Sequence, residues 1–203
     1  MRRRQSEAEI KSITYYDDYA DSFYEGTISA DVSSIRKKFI SQLPHAGQVL
    51  DWGCGSGRDT KAFQDAGFQV IATDASKVLC RLASEYTGIP VRNERFEDLK
   101  EISNFDGIWA CASLLHVPQD NLPAVFQIAA KALKPEGIMY VSFKHGDFEG
   151  ERDGRYFTDL TEESLTGILE QVPSLFIRES WMTGDVRDGR GNEKWLNAII
   201  DKE

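Results

Sequence analysis

Three glycines on alternate positions, Gly53, Gly55 and Gly57, follow an acid, Asp51, at the end of the short run Gln48-Val49-Leu50. Glycines at this spacing let the backbone turn sharply and approach a ligand more closely than side chains permit. Further along, Gln69-Val70-Ile71-Ala72-Thr73 ends in a second acid, Asp74. Two neighbouring strands that each deliver a carboxylate to one sheet edge, with a glycine loop between them, suit a nucleoside: the glycines admit it and the second acid takes its vicinal ribose hydroxyls. The dinucleotide fingerprint Gly-x-Gly-x-x-Gly fails in both registers, meeting Arg58 when started at Gly53 and Thr60 when started at Gly55. An NAD-dependent oxidoreductase is therefore the less favoured reading.

The series Asp51-x-Gly53-x-Gly55-x-Gly57, with Asp74 behind the next strand, resembles motif I and the ribose-binding acid of the class I S-adenosylmethionine (SAM) methyltransferases. The resemblance implies SAM as cofactor and S-adenosylhomocysteine as product. Backbone amides from Gly53 through Cys54 and Gly55 to Gly57, at a helix N-terminus, would meet the methionine half of SAM. Asp51 would accept from the cofactor's ammonium or hold the loop through backbone N–H groups, and Asp74 with Ala75 would meet the ribose. The segment Arg95-Phe96-Glu97-Asp98-Leu99 matches the family's adenine pocket, with Phe96 on the ring and Glu97 near its amino group. Ala110 and Cys111, small residues closing the fourth strand, would let the sulfonium lie against backbone. The run Tyr16-Asp17-x-x-Ala20-x-x-Phe23-Tyr24 resembles the family's Tyr-Asp-x-x-Ala-x-x-Tyr, with Phe23 and Tyr24 competing for the last position. It implies a lid that brings Tyr16 and Tyr19 to the reacting centre and Tyr24 to the acceptor; the alternative is an ordinary amphipathic helix.

A methyl group on a sulfonium is already activated, so the protein must bind, align and exclude water, and an acid/base pair is optional. His116, after the fourth strand, is the candidate general base, with helix capping or packing as its other reading. Lys144, Arg152, Arg155, Arg187 and Arg190 lie on segments that should border the crevice. Lys144, Arg155 and Arg187 are candidate acceptor ligands in an anion pocket, unless Asp147, Asp153, Asp185 and Asp188 neutralise the set. The three histidines share no metal spacing, and no metal is expected. Ala110-Cys111-Ala112-Ser113 stands where DNA and RNA amino-methyltransferases carry Asp/Asn-Pro-Pro-aromatic, so base flipping has no evident machinery. The carboxy-terminal run, Gly154-Arg155-Tyr156-Phe157 with Trp181 to Trp195, looks most like the bacterial tellurite-resistance-type branch, which implies a small-molecule acceptor. A SAM-binding sensor without turnover satisfies the same motifs.

The elements that must position these residues alternate. Residues 1–46 read as a helical cap, with Ile35, Phe39, Ile40 and Leu43 on one helical stripe; residues 47–143 read as the SAM-binding core. Helices are expected over Asp59 to Ala66, Val78 to Gly88 and from Asp120 to the stop at Lys134-Pro135-Glu136-Gly137, between strands that include Pro90 to Phe96, Phe105 to Ala112 and Gly137 to Phe143. Lys144 to Tyr156 reads as a mobile loop, followed by a helix from Thr161 and a terminal hairpin, Leu175 to Thr183 with Lys194 to Asp201. This order predicts a single α/β domain on a parallel sheet with right-handed crossovers, and the resemblance to the class I methyltransferases implies a three-layer sandwich around a seven-stranded Rossmann-like sheet whose last strand is antiparallel.

With 203 residues, 41% of them hydrophobic, the chain can build one full core. No apolar run approaches the ~20 residues a membrane helix requires, and no signal peptide follows the basic start Arg2-Arg3-Arg4. Cys54, Cys80 and Cys111 lack paired spacing, as suits a reducing, cytoplasmic compartment. A net charge of -9 disfavours a nucleic-acid partner. The expected partner is a small molecule, with no membrane, and the pattern specifies no oligomeric state.

Overall fold

The computed structural model describes residues 7–187 and 193–203. Three short helices lead: α1 (Glu7–Asp18), α2 (Ala20–Thr27) and α3 (Ser33–Ile40). The core follows as β1 (Gln48–Trp52), α4 (Arg58–Asp65), β2 (Gln69–Asp74), α5 (Lys77–Thr87), β3 (Arg92–Asn93), β4 (Phe105–Ala110), α6 (Leu122–Ala132) and β5 (Leu133–Lys144). The chain ends with β6 (Glu149–Arg152), β7 (Arg155–Thr158), α7 (Glu162–Leu169), β8 (Leu175–Gly184) and β9 (Lys194–Lys202).

Seven strands form one sheet in the order β3-β2-β1-β4-β5-β9-β8. Its first five strands are parallel, and β9 runs antiparallel to both β5 and β8. Strand alternation sends Val49, Trp109 and Tyr140 to one face, where Phe39 of α3 and Phe63 of α4 cover them. Leu50, Ile108 and Val141 go to the other face, under Phe126 of α6 and Leu165 of α7. These are the expected three layers. Because the parallel strands carry helices on both faces, their carboxyl ends gather loops along one edge, where ligands of such sheets collect.

Three local expectations change. The third strand shrinks to Arg92–Asn93, and Phe96–Asp98 forms a 3-10 turn instead, which Arg95 clasps by binding Asp98 at 2.9 Å. The helix stop at Lys134-Pro135-Glu136-Gly137 lies within β5, where a bulge between Phe105 and Gly107 shifts the register and Glu136 takes a φ of 62°. The supposed mobile loop 144–156 is largely a second, two-stranded sheet, β6 with β7. Asp153 and Gly154 both have positive φ at its turn, the Asp-Gly hairpin signal that low apolar content obscured. Helix α7 starts as expected: Thr161 accepts from the Ser164 amide and Ser164 returns the bond.

Candidate active site

The loop after β1 is held by main chain. The amides of Gly53 and Cys54 both donate to the Thr73 carbonyl at 2.9 Å, and the Gly55 amide donates to Asp74 Oδ2 at 2.9 Å. All three glycines have positive φ, but their reasons differ. A Cβ on Gly53 would stand 2.5 Å from the Ser113 Cβ, and one on Gly55 3.0 Å from the Phe23 ring. One on Gly57 would meet Ala83 and Thr87 of α5 at 3.0 Å. Gly53 and Gly55 line a cavity of about 610 Å³, whereas Gly57 lets α4 begin close against α5 and lies off the cavity wall. Its expected cofactor contact is thus replaced by a packing role.

Asp74 borders the same cavity. Its second oxygen accepts from the Ser76 amide at 2.8 Å. Burial raises its pKa against the amide bonds of Ser76, Gly55 and Ala75. Asp51 is almost fully buried and takes the Thr60 hydroxyl at 2.5 Å. Among the described residues no backbone N–H and no cation binds its carboxylate, so the loop is held without it. Burial and the neighbouring Asp59 carboxylate push its pKa up to about 7. A carboxylate facing the cavity without a counter-ion fits the ammonium of a bound amino-acid moiety, the first of the two roles the motif allows. A consequence is measurable: the cation binds only ionised Asp51, so SAM affinity should fall about tenfold or more from pH 7.5 to 5.5. Calorimetry on Asp51→Asn should show that pH dependence gone; an equally steep dependence in the variant would remove Asp51 from the ammonium site.

The remaining cofactor-side residues divide. Ala75, Phe96, Glu97, Cys54 and Cys111 line the cavity. Phe96 packs edge-on to Trp52 at 5.1 Å, and Glu97 is bound by Arg95 at 3.1 Å. Ala110 is fully buried and not on the cavity wall; Ala112, two residues on and at φ 52°, is. Burial and Asp59 push the Cys111 thiol up to about 12, which leaves it protonated and unsuited to nucleophilic work.

Above the glycine loop, α1 and α2 cover the cavity. Tyr16 and Phe23 face it, and the two rings meet edge-on at 5.0 Å. Tyr19 is 54% exposed and stacks on Tyr15 outside the cavity, and Tyr24 turns to Tyr86 of α5, so neither stands where a catalytic or acceptor contact was expected. A continuous helix would put residues 16, 19 and 23 on one face; the break between α1 and α2, where Tyr19 takes φ -113° and ψ 22°, turns Tyr19 away instead. Sequence reasoning also missed Asp17, which accepts from the Ser76 hydroxyl at 2.6 Å and the Val78 amide at 3.2 Å. That acid fastens the cap to the segment directly behind Asp74; its place in Tyr16-Asp17-x-x-Ala20 was the available signal.

His116 closes a 3-10 turn after β4 and lines the cavity. Its Nδ1 lies 2.6 Å from the Tyr156 carbonyl of β7, which can only accept, so Nδ1 carries the proton. Nε2 is then a lone pair, and Tyr16 donates its phenol proton to it at 2.7 Å. Burial lowers the histidine to about 4 and keeps it neutral. Burial also raises the Tyr16 pKa, opposed by Arg155. Of the expected anion pocket, Lys144 binds Glu193 at 2.5 Å, Arg187 binds Asp185 at 2.5 Å, and Arg152 binds Asp159 at 2.9 Å. Arg190 and Asp188 lie outside the described residues. The described residues contain no cluster suited to a metal ion.

A parallel sheet with one inserted antiparallel strand, a glycine loop at a helix N-terminus and a carboxylate at two adjacent strand ends define the class I SAM-dependent methyltransferase fold. Residues 49–137 match the family described as "Methyltransferase domain". The candidate methyltransferase YqeM of Bacillus subtilis (strain 168) is 28% identical over 132 residues, covering 61% of this chain and 53% of its own. The 18S rRNA (guanine-N(7))-methyltransferase bud23 of Schizosaccharomyces pombe is 27% identical over 135 residues, covering 60% of this chain and 45% of its own. The chain thus spans about half the length of these curated relatives. Among solved structures, the 1,6-didemethyltoxoflavin-N1-methyltransferase of Burkholderia thailandensis, bound to 1,6-didemethyltoxoflavin and S-adenosylhomocysteine, superposes with a TM-score of 0.75 at 21% identity, covering 100% of this chain and 93% of its own. The chain has the fold of these methyltransferases, and its glycine-loop core, residues 49–137, matches the methyltransferase-domain family.

Proposed function

We propose that this protein transfers the methyl group of SAM to a small-molecule acceptor and that His116 receives the acceptor's proton. The observation that carries this reading is the Tyr16–His116 pair at 2.7 Å, which lines the same cavity as the glycine loop and Asp74. When bound, SAM supplies a methyl carbon activated by its sulfonium. Gly53, Gly55, Asp51 and Asp74 bind and orient it, and the cap carrying Tyr16 and Phe23 excludes water. The neutral Nε2 of His116 accepts the proton released as the acceptor atom gains its methyl group. Holding the reactants in line is the main contribution, for which ~7–11 kcal/mol is available from orientation.

The rRNA activity of one relative is the competing acceptor class. Electrostatics favour the small molecule: the net charge is -9, and five of the six cavity cations, Arg58, Arg95, Lys144, Arg152 and Arg187, each already hold a carboxylate, which among the described residues leaves Arg155 alone. A phosphate backbone needs free cations. Free Cys54, Cys80 and Cys111 accord with a reducing compartment, so we place the protein in the cytoplasm. Among the described residues no helix is long and apolar enough to cross a membrane. The decisive experiment incubates the protein and methyl-labelled SAM with total rRNA and, separately, with a low-molecular-mass metabolite extract. Label should enter the low-mass fraction alone. Label in RNA would reverse the acceptor class, and SAH binding without label in either fraction would make the protein a sensor.

A further inference from the structure

Resting on the methyltransferase reading, we propose that Arg155 is the anchor for a carboxylate on the acceptor, so that the substrate is a small organic acid methylated at an atom close to its carboxylate. Six cationic side chains border the cavity, and five of them hold carboxylates. Arg155 makes no ion pair among the described residues. Among the described residues its Nε is buried without a hydrogen-bond partner, and its side chain makes one polar contact, a long one from Nη1 to the Tyr16 phenol oxygen at 3.4 Å. A buried donor left unsatisfied costs far more than an ordinary hydrogen bond gains, and a guanidinium keeps five donors in one plane.

What surrounds Arg155 fixes it without satisfying it. The guanidinium carbon lies 4.5 Å from the Tyr15 ring centre, 5.1 Å from Phe157 and 5.8 Å from Tyr16. Three aromatic faces neutralise part of the charge and hold the plane, while offering no oxygen to its N–H edge. A planar oxyanion that accepts two parallel N–H bonds is the complementary ligand.

Position sets the second half of the proposal. The Tyr16 oxygen is shared, 3.4 Å from Arg155 Nη1 and 2.7 Å from His116 Nε2. An acceptor atom that gives its proton at the Tyr16–His116 pair therefore sits within a few bonds of a carboxylate held by Arg155. Aromatic hydroxy acids and amino acids whose acceptor atom neighbours the carboxylate have this arrangement.

Salicylate, benzoate and uncharged benzamide, titrated calorimetrically into the SAH-saturated protein, test this. At least one carboxylate should bind about tenfold or more tightly than benzamide, the yield of a charge-assisted pair. Arg155→Gln should abolish that preference with SAH affinity within about twofold of the wild type, and Arg155→Lys should keep part of it, since it retains charge without the fork. Equal binding of acid and amide, no binding of any of the three, or a preference that survives in Arg155→Gln would overturn the assignment. If the wild-type protein takes up no SAH, the methyltransferase reading itself fails; SAH uptake without carboxylate preference sinks only the Arg155 site.

Discussion

Gly55→Val is expected to abolish measurable SAM and SAH binding, a loss of at least about 100-fold, while the chain stays folded. Gly55 has a φ of 54°, a region that a β-branched residue enters only at a cost of about 1–3 kcal/mol. Its Cβ would also stand 3.0 Å from the Phe23 ring, and two further methyl groups would project into the cavity wall between the loop and the cap. Strain alone is about a ten- to hundredfold effect when the loop must keep its geometry to bind, and the blocked space adds to it. Gly57 supplies the contrast. A Cβ there meets Ala83 and Thr87, so Gly57→Val should lower the melting temperature more than it lowers SAH affinity per folded molecule. Calorimetry and thermal unfolding on both variants separate the roles. Normal SAH affinity in Gly55→Val would place the cofactor away from this loop.

That contrast shows where the sequence is legible and where it stops. Alternating apolar residues, helix caps and the glycine series are local signals from which the parallel α/β sheet follows, whereas the antiparallel β9 came from the resemblance to the methyltransferases. The three glycines look equivalent in one dimension. Only the packing of α5 beneath the loop separates Gly57 from Gly53 and Gly55. Tyr19 was misplaced because periodicity groups it with Tyr16 and Phe23, whereas the α1–α2 break at Tyr19 leaves Tyr16 and Phe23 as the cap aromatics on the cavity wall. Arg155 and Arg187 are likewise indistinguishable as arginines on glycine-bearing segments. Asp185, two residues before Arg187, neutralises it locally, whereas Arg155 turns from the β6–β7 strand pair onto aromatics of α1 more than a hundred residues away. Such long-range pairings carry the specificity, and no local pattern encodes them.

His116→Asn is expected to lower kcat by about 10²- to 10⁴-fold, the usual share of a positioned proton acceptor, with SAM affinity within about twofold of the wild type. The Tyr156 carbonyl fixes the Nδ1–H tautomer, so Nε2 is the only basic nitrogen of the ring, and asparagine offers none. The pH dependence carries a second signature. A proton acceptor must be neutral, and burial lowers His116 to about 4, so at saturating SAM the acid limb of kcat/KM should fall near pH 4 rather than near the ordinary 6.5. Stability follows the same shift. Between pH 6.5 and 4 the unfolded chain protonates this histidine and the folded chain does not, so His116 by itself withdraws about 3 kcal/mol of stability as pH falls through that window, while Asp51, whose raised pKa lets the folded chain take up a proton first, acts in the opposite direction. The stability difference between the wild type and His116→Asn should therefore change with pH across this window, which a histidine exposed in both states would not produce. Tyr16→Phe then decides the proton's route: a loss as large as that of His116→Asn means that the phenol passes the proton on, and a loss under about tenfold means that the acceptor displaces Tyr16 to meet Nε2 directly. If His116→Asn keeps kcat within about threefold of the wild type, the histidine is a packing residue pinned by β7 and the proton leaves to solvent.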